Sequence, residues 1–447
     1  MTAMTLAISV LALALGVVLR PQLALAVYLS MAILWPEYMR VDVAPIELSA
    51  HRLGALGLLL GAGIRMRDWP RPHIADAFFV AWWIWGIMAK LIGGAPSGMV
   101  STTIGRGLDT VLIYLAVRLS IHAAHRTPRL HPLLIVAAMG AMLLALYETT
   151  ANKSFYDPLF LSDPGRFDYP MFRHGFMRAK GSTAQPIYWG VTMLLFAGLM
   201  LLHAAPKWGV RTAIACGFAL VGAGASWSSG PWIGCLMLFA VAAMYWCRWA
   251  VKPVAVTVVL ALIALQLAAN RNVYEFAMFL GLDRQTAWYR GRLIEVAIMK
   301  LPEYWLYGYG SETVTDWAPL LDGRRKVDLV NGFVYTAVQA GLPALVCYVG
   351  AKVSCMVCAV KLAKSGVPTC VRQGFALGAA VLSISFVEMS VGLFSTPLVL
   401  HAALLAHGPA LLAQYQAYAK RRTAAPASAN PEREGRRPAR SIRGLQP

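Results

Sequence analysis

The chain has 447 residues, of which 58% are hydrophobic and only 14% charged, with a mean hydropathy of +0.58, values that exclude a water-soluble globular domain of this size. Forty Lys and Arg stand against 21 Asp and Glu, a formal charge of +19, which suits anionic lipid head groups or an anionic substrate. Nucleic acid fits poorly as a partner, because the basic residues lie between apolar runs or in the C-terminal tail and not on a soluble domain.

The first apolar run, 3–19, lacks the charged start and cleavage motif of a secretory signal and reads as a retained span. Further runs follow near 22–35, 52–64, 74–92, 105–121, 132–149, 186–203, 210–226, 230–247, 253–269, 330–350, 373–394 and 398–414. Runs 22–35 and 52–64 are shorter than the ~20 residues of a perpendicular span, so they extend into flanking residues or re-enter. The expectation is an all-α transmembrane bundle of about 12 or 13 spans over residues 1–415, followed by a disordered basic tail over 416–447.

Lys and Arg near span ends stay in the cytoplasm. The stretches 65–73 and 122–131, the Lys207/Arg211 and Arg248/Lys252 connections and the stretch from Lys352 to Arg372 alternate correctly, and share that side with the tail. Loops of about 150–185 and 270–329 then fall on the opposite side. They nevertheless carry Lys153, Arg166, Arg173, His174, Arg178 and Lys180, and Arg271, Arg284, Arg290, Arg292, Lys300, Arg324, Arg325 and Lys326, respectively. A pair of solvated loops of mixed charge is the plain alternative to a binding role.

The seven cysteines lie in apolar runs or on the cytoplasmic side, so no disulfide is expected. Cys355 and Cys358 have the spacing of metal ligands but no second pair, and no metal site is expected from them. Isolated charges in or near spans are Lys90, Glu148 and Glu388.

The first loop ends in FRHGFMRAKGSTAQPIYWG, which sets Arg178 and Lys180 beside a Gly-Ser-Thr turn that opens an apolar helix. Guanidinium groups and helix N-terminal amides both suit phosphate oxygens, although either cation can also snorkel to lipid phosphate. In the second loop, Arg290 and Arg292 precede an amphipathic run and a GYG turn, and Asp328 and Asn331 stand at the mouth of the next span, where both types also serve as plain helix caps. A diphosphate needs convergent cations, so Arg178 is expected near Arg290 and Arg292.

Four segments, RAKGSTAQPIYWG, SWSSGPWIG, YRGRLIEVAIMKLPEYWLYGYG and VNGFVYTAVQAGLPAL, taken in this order, resemble the O-antigen ligase and O-antigen polymerase superfamily of membrane glycosyltransferases. The likeness covers about 150–415 and the first third only in general topology. It implies a C-type glycosyltransferase fold in a bacterial inner membrane, moving a glycan from undecaprenyl diphosphate to an acceptor glycan on the periplasmic side. In the ligases a His often precedes the Asn of the late span, whereas here Val330 precedes Asn331. That departure favours a polymerase of exopolysaccharide or O-antigen repeats over a ligase acting on lipid A core, with Asp328 the available base and Arg290 the first candidate for the departing diphosphate. Arg178, Lys180, Arg292 and Asn331 are the expected substrate-binding residues. No cofactor is expected, since cationic side chains can meet the charge of a diphosphate leaving group. Anionic lipids and a chain-length regulator complete the partners considered. A transporter or flippase of lipid-linked oligosaccharide is the reading from another class, disfavoured by few midspan charges and no internal repeat.

Overall fold

Lipid offers no partner to a bare peptide group, so a chain this apolar satisfies its backbone by helices. The computed structural model describes residues 2–36, 38–43, 46–124, 128–157, 171–268, 284–309, 314–321 and 327–424, and helix covers most of each apolar run. Arg166, Arg271, Arg324, Arg325, Lys326 and the tail beyond Ala424 lie outside these residues.

In chain order come α1 (Thr2–Val18), α2 (Pro21–Leu34), a ribbon of β1 (Arg40–Val43) and β2 (Ile46–Ser49), α3 (Ala50–Arg65) and α4 (Ile74–Ile92). Next are α5 (Ser97–Gly107), a π-turn at Leu108–Leu112, α6 (Ile113–Ala123) and α7 (Pro132–Ala151). A second ribbon, β3 (Phe172–Arg173) with β4 (Phe176–Met177), leads to α8 (Pro186–His203), α9 (Val210–Gly224), α10 (Ser229–Ala243) and α11 (Val251–Ala268). The chain closes with α12 (Arg284–Met299), α13 (Leu301–Tyr304), α14 (Gly332–Ala363), α15 (Pro368–Glu388) and α16 (Ser395–Ala424). Among the described residues, seven helical segments are long and apolar enough to cross a membrane, and four shorter apolar helices accompany them. This is a helical membrane protein.

Glycines set the closest packing. A Cβ at Gly57 of α3 would meet the Leu13 backbone, and one at Gly16 would meet Gly57 and Leu58, so α1 and α3 touch through their main chains. α8 and the first part of α16 are buried almost throughout and form the centre of the core. α11, by contrast, has no buried residue.

Two expectations are corrected. The run at 330–350 is not one span: α14 breaks at Ala340 (φ −149°) and Gly341 (φ 78°, ψ 177°). A straight helix would hold Phe333 and Tyr348 about 22 Å apart, yet their ring centroids lie 6.2 Å apart. Residues 332–339 therefore fold back on 342–363 as a hairpin. Residues 305–309 close it, with Leu342 N donating to Trp305 O at 2.6 Å and Tyr309 N to Val338 O at 2.8 Å. The second correction is that α16 continues to Ala424, past the boundary expected at 416.

The stretches with the expected cytoplasmic charges collect at one end of the bundle. There the Arg372 guanidinium donates to Ala205 O (2.5 Å) and Pro206 O (2.7 Å), Gln414 Nε2 to Ile121 O (2.8 Å) and Tyr415 OH to Ser365 O (3.3 Å). Lys352 does not belong with them. It is buried in α14 and paired with Glu388 of α15, so it carries no weight in the charge count.

Candidate functional site

Arg178 follows β4, and its guanidinium reaches the turn between α9 and α10. Its Nε donates to Ser226 O at 3.1 Å and its Nη2 to Ser228 Oγ at 2.7 Å. Its Nη1 has no hydrogen-bond partner among the described residues. Burial, with a contribution from the charge of Arg173, lowers its pKa, but a guanidinium begins so high that it stays charged.

Ser228 is the residue before α10 and does not cap it, because its Oγ donates to Ser226 O at 3.2 Å and accepts from Arg178. The first amides of α10 thus sit beside a guanidinium that is anchored on one edge and open on the other. That combination suits an anionic oxygen.

The turn at Lys180 and Gly181 does not play this part. Lys180 N and Gly181 N both donate at 2.8 Å to Glu148 Oε2, at the end of α7, so the turn already holds a carboxylate of the chain itself. Lys180 Nζ pairs with Asp157 Oδ2 at 2.6 Å. These amides, expected to meet a phosphate, are taken up by Glu148.

Asn331 caps α14. Its Oδ1 accepts from Phe333 N (2.9 Å) and Val334 N (3.0 Å), while its Nδ2 donates to Met389 O at 2.9 Å. Capping therefore belongs to Asn331 and not to Asp328, whose side chain is exposed. The backbone of Asp328 exchanges two 2.9 Å hydrogen bonds with the Tyr289 hydroxyl, which ties α12 to this mouth. Arg290, the next residue on α12, is buried. Arg292 is half-buried, pairs with Glu295 at 2.7 Å and donates to Leu320 O at 3.2 Å.

One strip joins the two regions. A Cβ at Gly230 of α10 would lie 3.3 Å from Ser390 Oγ, and one at Gly332 would lie 3.4 Å from Val391 O and 3.5 Å from Glu388 Cβ. Arg178 attaches to this strip through Ser228, and α12 attaches through Tyr289 and Asp328.

Sequence reasoning missed Arg106 and Lys352. The Arg106 guanidinium lies 5.0 Å from the Tyr335 ring centroid and 5.5 Å from that of Phe394, and it makes no hydrogen bond or ion pair among the described residues. Aromatic faces hold the cation and leave its N–H donors for another ligand. The available signal was an Arg at the edge of the apolar run 105–121. Lys352 was masked by its nearness to Lys361 and Lys364, although the apolar pattern of 353–362 continues past it. Lys90 is not isolated either, since its Nζ donates to Gln339 Oε1 at 2.7 Å. Of the paired cysteines, Cys358 Sγ lies 3.6 Å from His73 Nε2 and Cys355 Sγ donates to Leu405 O at 3.7 Å.

No protein-family model and no curated protein sequence matches this chain.

Proposed function

We propose that the chain is a membrane glycosyltransferase that polymerises oligosaccharide repeats carried on undecaprenyl diphosphate, at the periplasmic face of a bacterial inner membrane. The observation that carries this reading is Arg178, anchored to Ser226 and Ser228 on one edge and open on the other, beside the uncapped start of α10. In the reaction, a hydroxyl of the acceptor glycan attacks the anomeric carbon of a lipid-linked glycan. The new glycosidic C–O bond forms as the bond to the diphosphate breaks, and the diphosphate leaves with the electron pair. Arg178, Arg290 and the α10 amides stabilise that charge, and Asp328 accepts the hydroxyl proton. Arg292 pairs with Glu295 and Asn331 caps α14, while Lys180 pairs with Asp157 and is not assigned to the diphosphate.

One observation favours a second reading. The buried Lys352–Glu388 pair, with the Tyr348 hydroxyl donating to Glu388 at 2.5 Å and His401 edge-on to the Tyr348 ring, is the type of group found in transporters and flippases. The glycan of a strain lacking the gene separates the readings. A polymerase leaves single repeats on the lipid at the periplasmic face, and a flippase leaves them at the cytoplasmic face. A ligase leaves intact polymer on undecaprenol and uncapped lipid A core.

A further inference from the structure

Trp227 stands in the turn between α9 and α10 with φ 48°, a backbone conformation in which a bulky side chain is a genuine outlier. Three hydrogen bonds hold it there. Arg173 Nη1 donates to Trp227 O at 2.9 Å, and Arg178 binds Ser226 O and Ser228 Oγ on either side. Arg173 and Phe176 are directly paired across the β3–β4 ribbon and share one face of it. While Arg173 grips the Trp227 carbonyl, the Phe176 ring stacks on the indole, with centroids 5.1 Å apart and planes 6° apart. Trp232 at 5.8 Å and His174 at 6.4 Å extend the cluster. His174 and Gly175, both at positive φ (53° and 83°), make the two-residue turn that joins β3 to β4 and set the Arg173–Phe176 pair.

Phe176 is 48% exposed, so this arrangement does not serve to bury apolar surface. An aromatic that only anchors a helix in the lipid interface requires neither a strained backbone nor two arginines to present it. Strain maintained by surrounding contacts marks a position held for a ligand. The open face of a π system carries partial negative charge, and the C–H groups of a pyranose ring carry partial positive charge on their apolar face. His174, on the same ribbon, and Arg178, bound to the same 226–228 turn, are the polar groups nearest in the chain to offer hydrogen bonds to ring hydroxyls.

We propose that Phe176 and Trp227 form a sugar-binding subsite that takes one pyranose ring of the glycan, next to the Arg178 edge. This rests on the reading of the chain as a glycan-handling protein, and extends it by assigning where the sugar is held.

The test uses the purified full chain in nanodiscs, with oligosaccharide released from the host polysaccharide by mild acid as the probe. Saturation transfer from aromatic protons to the sugar, with a titration of tryptophan fluorescence, reads the binding. The wild type should bind, Phe176→Ala should bind about tenfold more weakly, and Trp227→Gly, which removes both ring and strain, should show no saturation transfer. Melting temperature separates loss of the ring from loss of the fold, because exposed Phe176 can be cut back without opening the core. The proposal is overturned by a wild type that does not bind, or by a Phe176→Ala variant that binds as the wild type does. Binding is read without turnover, so a wild type that binds the oligosaccharide here but builds no polymer in a separate assay overturns the glycosyltransferase reading alone.

Discussion

Lys352 and Glu388 form an ion pair sealed from solvent, with side-chain exposures of 5% and 0%, against the Gly332 end of α14. The Tyr348 hydroxyl donates to the second carboxylate oxygen of Glu388, and the ammonium lies 4.9 Å from the Tyr348 ring centroid and 5.3 Å from that of Phe333. The pair thus joins both halves of the α14 hairpin to α15. Removing one partner leaves a buried charge, so Glu388→Gln is expected to destabilise the protein by about 3–5 kcal/mol. The double variant Lys352→Met, Glu388→Leu should recover most of that loss. A Glu388→Gln protein that melts with the wild type in the same detergent contradicts this account of the hairpin.

Asn331 and Asp328 divide roles that sequence alone could not separate. Asn331→Ala removes a cap on two amides, a loss of about 1 kcal/mol, and also frees Met389 O. The side chain of Asp328 is exposed and Asn331 supplies the cap, so Asp328→Asn should change the melting temperature little while lowering glycan turnover. Unchanged turnover removes Asp328 as the base.

Gly341 sits at φ 78°, ψ 177°, and a Cβ there would meet the carbonyl of Leu306. Gly341→Ala should cost about 1–3 kcal/mol from backbone strain alone, with the collision added. Gly63 of α3 is the matched control, since nothing lies within 4 Å of an added Cβ there. Gly63→Ala should be neutral or stabilising by up to about 1 kcal/mol. Equal melting temperatures for the two variants would remove the structural basis for the hairpin.

The apolar runs made the helices legible, because residues such as those of 186–203 have no other stable state in lipid. The hairpin was not legible. The run at 330–350 is apolar on both sides of Gly341 and Pro343, which mark a break, but its direction depends on contacts with residues 305–309. The charges of the site were read as types but not as pairings: whether Arg178 meets the helix at 186 or the one at 229, and whether Glu148 or a ligand fills the Gly181 turn, is decided by packing between distant segments. Nothing in the segment SWSSGPWIG marks Trp227, because its left-handed backbone belongs to a turn gripped by Arg173 from a distant ribbon.

Glu303 and Tyr309 give a pH signature outside the spans. Hydrogen bonds from Lys300 and Tyr309 hold the Glu303 carboxyl below its ordinary value, while burial and the bond to Glu303 push the Tyr309 phenol up to about 12. The carboxylate contribution is present above the ordinary carboxylate pKa and is lost as pH falls through the depressed value. The phenol contribution is present below about 10, the unperturbed value, and is lost as pH rises through about 12. Ultraviolet titration should show one high-titrating tyrosine fewer in Tyr309→Phe, and in Glu303→Gln a Tyr309 midpoint moved down. An unmoved midpoint shows that burial alone sets it.

The central claim is that the open edge of Arg178 meets the diphosphate of a lipid-linked glycan. Reconstituted into vesicles with lipid-linked repeat units on the face that carries Arg178, the purified wild type should produce a ladder of longer glycans and release undecaprenyl diphosphate. Arg178→Lys keeps the charge but loses the planar fork, so it should insert and melt close to the wild type and extend the glycan at least about a hundredfold more slowly. A wild type that leaves the repeats unextended, or an Arg178→Lys variant that builds the ladder at the wild-type rate, contradicts the account.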